Sequence, residues 1–279
     1  MNLYRCILGA NDCFKLGQFI KPKGVMWHST GANNPMLRRY VQPIPGYSDY
    51  DKLMALLGDN PNNNDWNRTG LNVCVHAFIG KLADGTVATV QTLPWDMRGW
   101  HSGTGKSGSA NNTHISFEIC EDNLADEQYF RAVYREAVEL TAMLCKEYGL
   151  DPMEPGVVID HSEGYKLGIA SGHADISHWL KRYGLTMDDV RRDVKKEMEK
   201  EDEDDMDVNR FKELWIEMRK GLQDNDAAGW SAEARQWAID NGLVQGGSAD
   251  EFNGMWEDVL TREQMVTLLF RFAKLVGQA

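Results

Sequence analysis

The stretch GVMWHSTG, Gly24–Gly31, sets a short apolar run in front of a histidine and then a small polar loop. GVVIDHSEG, Gly156–Gly164, repeats the arrangement, with His161 closing a second Val/Ile-rich run. Short runs of this kind, bounded by Gly and polar residues, read as buried β-strands. Working outward, the same reading applies to Asn72–Ile79 (NVCVHAFI), Thr86–Thr92 (TVATVQT) and His114–Cys120 (HISFEIC). Ala83-Asp84-Gly85 supplies a hairpin turn between two of them. Between Asp126 and Tyr148 the period changes. Phe130, Val133, Tyr134, Ala137, Leu140, Thr141, Leu144 and Cys145 recur at helical spacing, and Gly149 closes the segment. A second helix starts at Thr186, with Asp189 completing a capping box, and carries Met187, Val190, Val194 and Met198. Strands interspersed with amphipathic helices predict an α/β domain, a central mixed β-sheet flanked by helices.

The chain changes character after Lys195, where KKEMEKEDEDDMD reads as a solvated helix end running into a linker. Residues 196–279 hold 10 Lys+Arg against 19 Asp+Glu, so they carry −9 of the net −12. We expect a domain at 1–195, an acidic linker at 196–208 and a small all-α module at 209–279. That module's predicted helices are Val208–Gly221, Ser231–Asn241 and Thr261–Val276. Its aromatics, Trp215, Trp230, Trp237, Phe252 and Trp256, read mostly as core.

An acidic net charge argues against a nucleic-acid partner, because phosphate recognition needs a basic footprint. No run of about 18 apolar residues exists to span a membrane. The N-terminus MNLYRCILGANDCFKLGQF lacks the basic start and apolar run of a secretory leader, so synthesis in a cytoplasm is expected. Cys6, Cys13, Cys74, Cys120 and Cys145 are odd in number and form no CxxC pair, which predicts free, mostly buried thiols.

The chemistry concentrates in the histidines. His28 and His161 each end a strand and face a loop, and GHADISH adds Asp175. Two histidines and a carboxylate with one open position form a typical catalytic zinc set. No short HExxH-type motif fixes the geometry, and histidines serving only the fold would give the same spacing.

Five segments, taken in order, resemble the N-acetylmuramoyl-L-alanine amidases related to peptidoglycan recognition proteins, especially phage endolysins. They are KPKGVMWHSTGANNPMLRRYVQP (Lys21–Pro43), VHAFIGKLADGTV (Val75–Val87), MRGWHSG (Met97–Gly103), HISFEICED (His114–Asp122) and DHSEGYKLGIASGHADISHWL (Asp160–Leu180). The resemblance runs from about Leu3 to Val194. It implies a Zn²⁺ enzyme acting on bacterial peptidoglycan, made in a host bacterium and acting on the wall after release, with His28 and His161 as the first two ligands. The third ligand matches Asp175, with His173 and His178 as competitors. The family often has Lys where His173 stands and Pro where Ile176 stands, and this chain inserts residues between His161 and Asp175.

The resemblance also places the catalytic carboxylate at Glu118 and an oxyanion-stabilising group at His173. Alternation supports the first. Ile115, Phe117 and Ile119 share one face of the strand, and Glu118 shares the other with Ser116. His101, inside MRGWHSG, matches a substrate-groove motif, and its neighbour Trp100 reads either as core or as a sugar-stacking ring in that groove, while His76 and His114 read as structural or as groove rim. The tail, through WAIDNGLVQG and WEDVLTREQMVTLLFRFAKL, is similar to one unit of the S-layer-homology type. That similarity implies binding to secondary cell-wall polymers, with helical docking or dimerisation as the alternative. A non-catalytic peptidoglycan-binding protein of the same fold is the competing reading for the whole chain. Oligomeric state is not legible.

Overall fold

The computed structural model describes residues 1–173, 175–200, 208–246 and 252–278. It divides into two compact units, Met1–Lys200 and Glu201–Ala279. Six strands among the described residues form one sheet: β1 (Leu3–Arg5), β2 (Gly24–Ser29), β3 (Ala77–Lys81), β4 (Val87–Gln91), β5 (His114–Ile119) and β6 (Val158–Asp160). Their spatial order is β1-β4-β3-β5-β2-β6. Only the β3–β4 hairpin is antiparallel; β1–β4, β3–β5, β5–β2 and β2–β6 run parallel, so the sheet is mixed as expected. The hairpin turns at Asp84-Gly85, where Gly85 adopts φ 86 and the Asp84 carboxylate accepts from the Thr86 amide.

Helices of the first unit are α1 (Asp12–Leu16), α2 (Tyr50–Leu57), α3 (Glu127–Tyr148), α4 (His161–Leu167), α5 (Ser177–Arg182) and α6 (Met187–Glu199). The long helix α3 starts on Asp126, whose carboxylate accepts from the Tyr129 amide, and ends on left-handed Gly149. Its apolar stripe covers one face of the sheet. Val133, Ala137, Leu140 and Leu144 pack with Val25, Trp27, Ile115, Phe117 and Ile119 in a single core. Trp27 is fully buried there and donates its indole N–H to Thr141 Oγ1 at 3.0 Å. α6 joins the same layer through Val190 and Val194, and its Thr186–Asp189 capping box forms as predicted. Met198 still packs against this core, and α6 runs to Glu199.

The sheet's other face is divided. Its β1–β4–β3 half is covered by Leu37, Val41, Leu53 and Leu57, which pack on Phe78 and Val90. Under β5–β2–β6 the cover consists of α4 and loops, with Met26, Ala110, Ile159 and Ala170 as a small apolar cluster. Polar residues can therefore occupy this half.

Two expectations for the first unit need correction. The run Asn72–Ile79 does not form one strand: the ladder begins at Ala77, while Cys74 bridges Trp100 instead. The reason is covalent. Cys13 and Cys74 form a disulfide with Cα atoms 6.5 Å apart, so the free-thiol reading holds only for Cys6, Cys120 and Cys145, all buried. Odd cysteine number hid the pair. The bridge spans a sequence separation of 61, for which chain entropy gives a stabilisation of about 4 kcal/mol. Cys13→Ser/Cys74→Ser is expected to lower the denaturation midpoint accordingly. Equal midpoints for the double variant and the oxidised parent would show that the bridge contributes nothing.

The second unit contains α7 (Val208–Leu222), α8 (Ala232–Asp240) and α9 (Arg262–Leu275), close to the predicted helices. Most of the expected acidic linker, at 201–207, lies outside the described residues. The expectation of an aromatic core fails here. Trp230 is 90% exposed, Trp215 and Trp237 are also exposed, and Leu243 is the buried hydrophobic residue among those described. Three short helices enclose too little volume to bury so many large rings. No helix among the described residues is long and apolar enough to cross a membrane.

Candidate active site

The site lies at the carboxyl ends of the parallel strands β5, β2 and β6, where open α/β sheets place ligands. Register explains the grouping. His28 on β2 is directly opposite Glu118 on β5, and Trp27 is opposite Asp160, the last residue of β6. Because Val25 and Trp27 face α3, His28 must face the loop side. His161 follows at once as the first residue of α4. Asp160 caps that helix by accepting from the Glu163 amide at 2.8 Å, and it also accepts from the hydroxyls of Ser162 and Ser177. The Ser177 contact ties the start of α5 to the end of β6, and this brackets Asp175 in the intervening loop.

The structure brings three predicted residues together. Asp175 Oδ2 lies 2.7 Å from His28 Nδ1 and 2.9 Å from His161 Nδ1, and the two Nδ1 atoms are 3.4 Å apart. Atoms each ~2.0–2.1 Å from a tetrahedral zinc stand ~3.3 Å from one another. The donor set and its spacing therefore fit a small divalent cation, and this trio is the group among the described residues whose atoms could hold one. Burial lowers the pKa of His28, with Asp175 opposing. For Asp175, burial raises the pKa, but hydrogen bonds from His161 and His28 outweigh it and hold the carboxylate ionised. A neutral His28 imidazole beside an ionised Asp175 carboxylate matches the protonation states that metal ligation requires.

The two competing histidines lie elsewhere. His178 is exposed and pairs through Nε2 with Glu121 Oε1 at 3.1 Å. His173 stands at the rim, its ring centroid 5.1 Å from that of His161 and its Nδ1 3.0 Å from Ser171 Oγ.

Glu118 lines the site side of β5, as the strand alternation predicts. Its Oε2 is buried without a hydrogen-bond partner among the described residues. Burial, with the charges of Asp175 and Glu121, pushes its carboxyl well above the ordinary 4.5. The sign of the consequence follows. Below about pH 4.5 the carboxyl is protonated in both folded and unfolded chains and costs nothing. As pH rises through 4.5 the unfolded chain ionises first, so folding is penalised increasingly until the folded group also ionises. Metal-free Glu118→Gln is therefore expected to melt higher than the parent at pH 7, with the gap closing toward pH 4. A gap that does not change with pH would assign the effect to packing.

His101 is partly buried beside His28, with its Nδ1 3.0 Å from His28 Nε2. Trp100 is 40% exposed, with the Arg98 guanidinium 5.1 Å above its ring, which removes it from the core. His76 is structural. Its nitrogens contact the Met97 carbonyl and Ser116, and burial lowers its pKa to about 4. His114 is structural too, held between Thr113 and the Gly156 carbonyl. Sequence reasoning missed Glu121, Ser171 and Asp160. Glu121 is buried and accepts from Ser29 Oγ at 2.5 Å. An acid directly after a strand was the available signal for it; Ser171 had none beyond a run of small residues.

The family model for N-acetylmuramoyl-L-alanine amidase matches residues 18–182, a span that contains every residue of the site. The chain belongs to this amidase family. The amidase is thus a peptidoglycan hydrolase that cleaves between N-acetylmuramic acid and L-alanine. Among solved structures it is similar to the Staphylococcus aureus hydrolase AmiA in complex with its ligand. The identity is 20% and the TM-score 0.48, covering 71% of this chain and 83% of that one. A mutant endolysin from Bacillus subtilis matches at 20% identity and TM-score 0.44, over 70% and 99% of the two chains. The PlyG catalytic domain matches at 19% and 0.45, over 71% and 96%. No curated protein sequence matches the chain.

Proposed function

We propose that the amidase is a zinc enzyme in which His28, His161 and Asp175 hold the metal, Glu118 moves the proton and His173 steadies the oxyanion. The observation that carries this reading is the three-atom cluster, with separations of 2.7, 2.9 and 3.4 Å between one carboxylate oxygen and two Nδ1 atoms. Zinc in such a site supplies Lewis acidity, which makes water nucleophilic near neutral pH. The protein supplies the rest. Glu118, a carboxylate with a raised pKa and an oxygen unpartnered among the described residues, takes the proton from the attacking water. It then delivers that proton to the nitrogen of L-alanine as the C–N bond breaks. His173, at the rim, donates a hydrogen bond to the tetrahedral oxygen, and Trp100 and His101 border the groove for the glycan.

The test is direct. Purified protein should contain about one zinc per chain and release new L-alanine amino termini from purified walls, an activity removed by chelation and restored by zinc. A parent protein that hydrolyses walls while carrying no metal would sink the zinc assignment.

We also infer that residues 209–279 are a wall-binding module of the S-layer-homology type, and that the chain is a phage endolysin. Supporting the first is a cavity of about 520 Å³ in the second unit, lined by Trp256, Asp258 and Arg271 among others. Protein ending at Lys200 is expected to keep its turnover on soluble muropeptides and to lose sedimentation with intact walls. Unchanged sedimentation would assign wall affinity to the catalytic unit.

A further inference from the structure

The two candidate ligand histidines are backed by different groups, and their proton inventories can be followed atom by atom. Behind His161, Ser171 Oγ lies 3.4 Å from Nε2. That hydroxyl has one hydrogen, which it donates to the Ser102 carbonyl at 3.1 Å. With its hydrogen so placed, the hydroxyl accepts from His161 Nε2 once a metal takes the Nδ1 lone pair; without a metal, His161 Nδ1 faces Asp175 Oδ2 at 2.9 Å.

Behind His28 stands a second imidazole. His28 Nε2 is 3.0 Å from His101 Nδ1, with the rings nearly perpendicular at 75°. Either nitrogen of such a pair can be the donor, until a metal takes His28 Nδ1. The single hydrogen of His28 must then sit on Nε2, so His101 Nδ1 has to accept it and His101 carries its own hydrogen on Nε2. That Nε2 is buried and has no partner among the described residues. A buried N–H left unpaired is costly, and the arrangement needs a firm scaffold to persist. The scaffold is present. Asn111 Oδ1 accepts from the His101 amide at 2.7 Å and the Ser102 amide at 2.9 Å, and a side chain at Gly99 would meet the His101 ring at 3.2 Å.

We infer that His101 is a positioning residue: its Nδ1 accepts from His28 Nε2 and locks His28 in the tautomer that presents Nδ1 to the metal. The inference rests on the zinc site proposed above. Outer-shell partners of this kind orient the ligand and raise its basicity, and their removal costs 10–100-fold in metal affinity.

Zinc affinity, measured by competition with a chromogenic chelator, separates the possibilities. His101→Phe and the smaller His101→Ala are expected to bind zinc roughly 10–100-fold more weakly than the parent. His101→Asn should recover most of the loss, because its carbonyl oxygen falls near the position of Nδ1. Affinity unchanged in Phe and Ala, or as weak in Asn as in Ala, overturns the inference. A merely structural role would lower the metal-free melting temperature and leave the affinity untouched. In the zinc-loaded parent, ¹⁵N-resolved NMR should place the protons on Nε2 of both His28 and His101. A proton on His101 Nδ1 overturns the inference without any variant. A parent that binds no zinc refutes the preceding section instead, so the two failures are distinct.

Discussion

Glu118→Gln is expected to keep its full zinc content and to lose ~10²–10⁴-fold in turnover. Zinc supplies Lewis acidity but no proton, and amide cleavage needs a proton on the departing nitrogen. Glu118 stands opposite His28 in the parallel register, on the face away from α3, and its Oε2 is buried without a partner among the described residues. Burial and the neighbouring charges of Asp175 and Glu121 raise its pKa, which matches the group to proton transfer nearer neutrality. Glutamine keeps the shape and removes the titration. Amine release at near-parent rates by zinc-loaded Glu118→Gln would reduce Glu118 to a structural role, and His173 would then be the group to vary.

His28→Ala is expected to abolish both stoichiometric zinc and wall hydrolysis. The ring is almost wholly buried on β2, between β5 and the edge strand β6. Its removal takes away one nitrogen of the proposed ligand set, leaves Asp175 with a single histidine partner, and strips His101 Nδ1 of its neighbour. Metal binding to the folded state stabilises it by about 4 kcal/mol at a thousandfold excess over Kd. The parent's melting temperature should therefore rise on adding zinc and that of His28→Ala should not. A variant that still gains stability from zinc would mean that the metal binds elsewhere.

Much of this site was legible because strands impose period 2. Once Ile115, Phe117 and Ile119 are read as core-facing, Glu118 can face only the other side, and the structure agrees. His28 and His161 were legible as strand-terminal histidines for the same reason. The segment 171–178 was less so. Three titratable residues follow one another there without a regular period, and which one turns inward depends on ties such as Ser177 to Asp160 and His178 to Glu121. Those ties join residues far apart in sequence. The short elements β1, α1, α2, α4 and α5 were not anticipated, because a few residues carry too little periodicity to register. The Cys13–Cys74 bridge was hidden by an odd cysteine count. In the second unit helical periodicity was read correctly, but it says nothing about whether the helices find enough neighbours to bury their rings.

The parallel placement of β2 between β5 and β6 has a consequence for synthesis. His28 and His161 are separated by 133 residues, and β2 gains its second neighbour only when β6 arrives. Contacts of such long range make folding slow. At usual translation speeds, β2 waits on the order of ten seconds for β6 to leave the ribosome. During that wait the edge of Val25, Met26 and Trp27 is open to pairing with another nascent chain. Slower initiation or a holding chaperone should therefore raise the soluble yield of this amidase, because the strand that carries His28 is also the one left exposed while the chain is made.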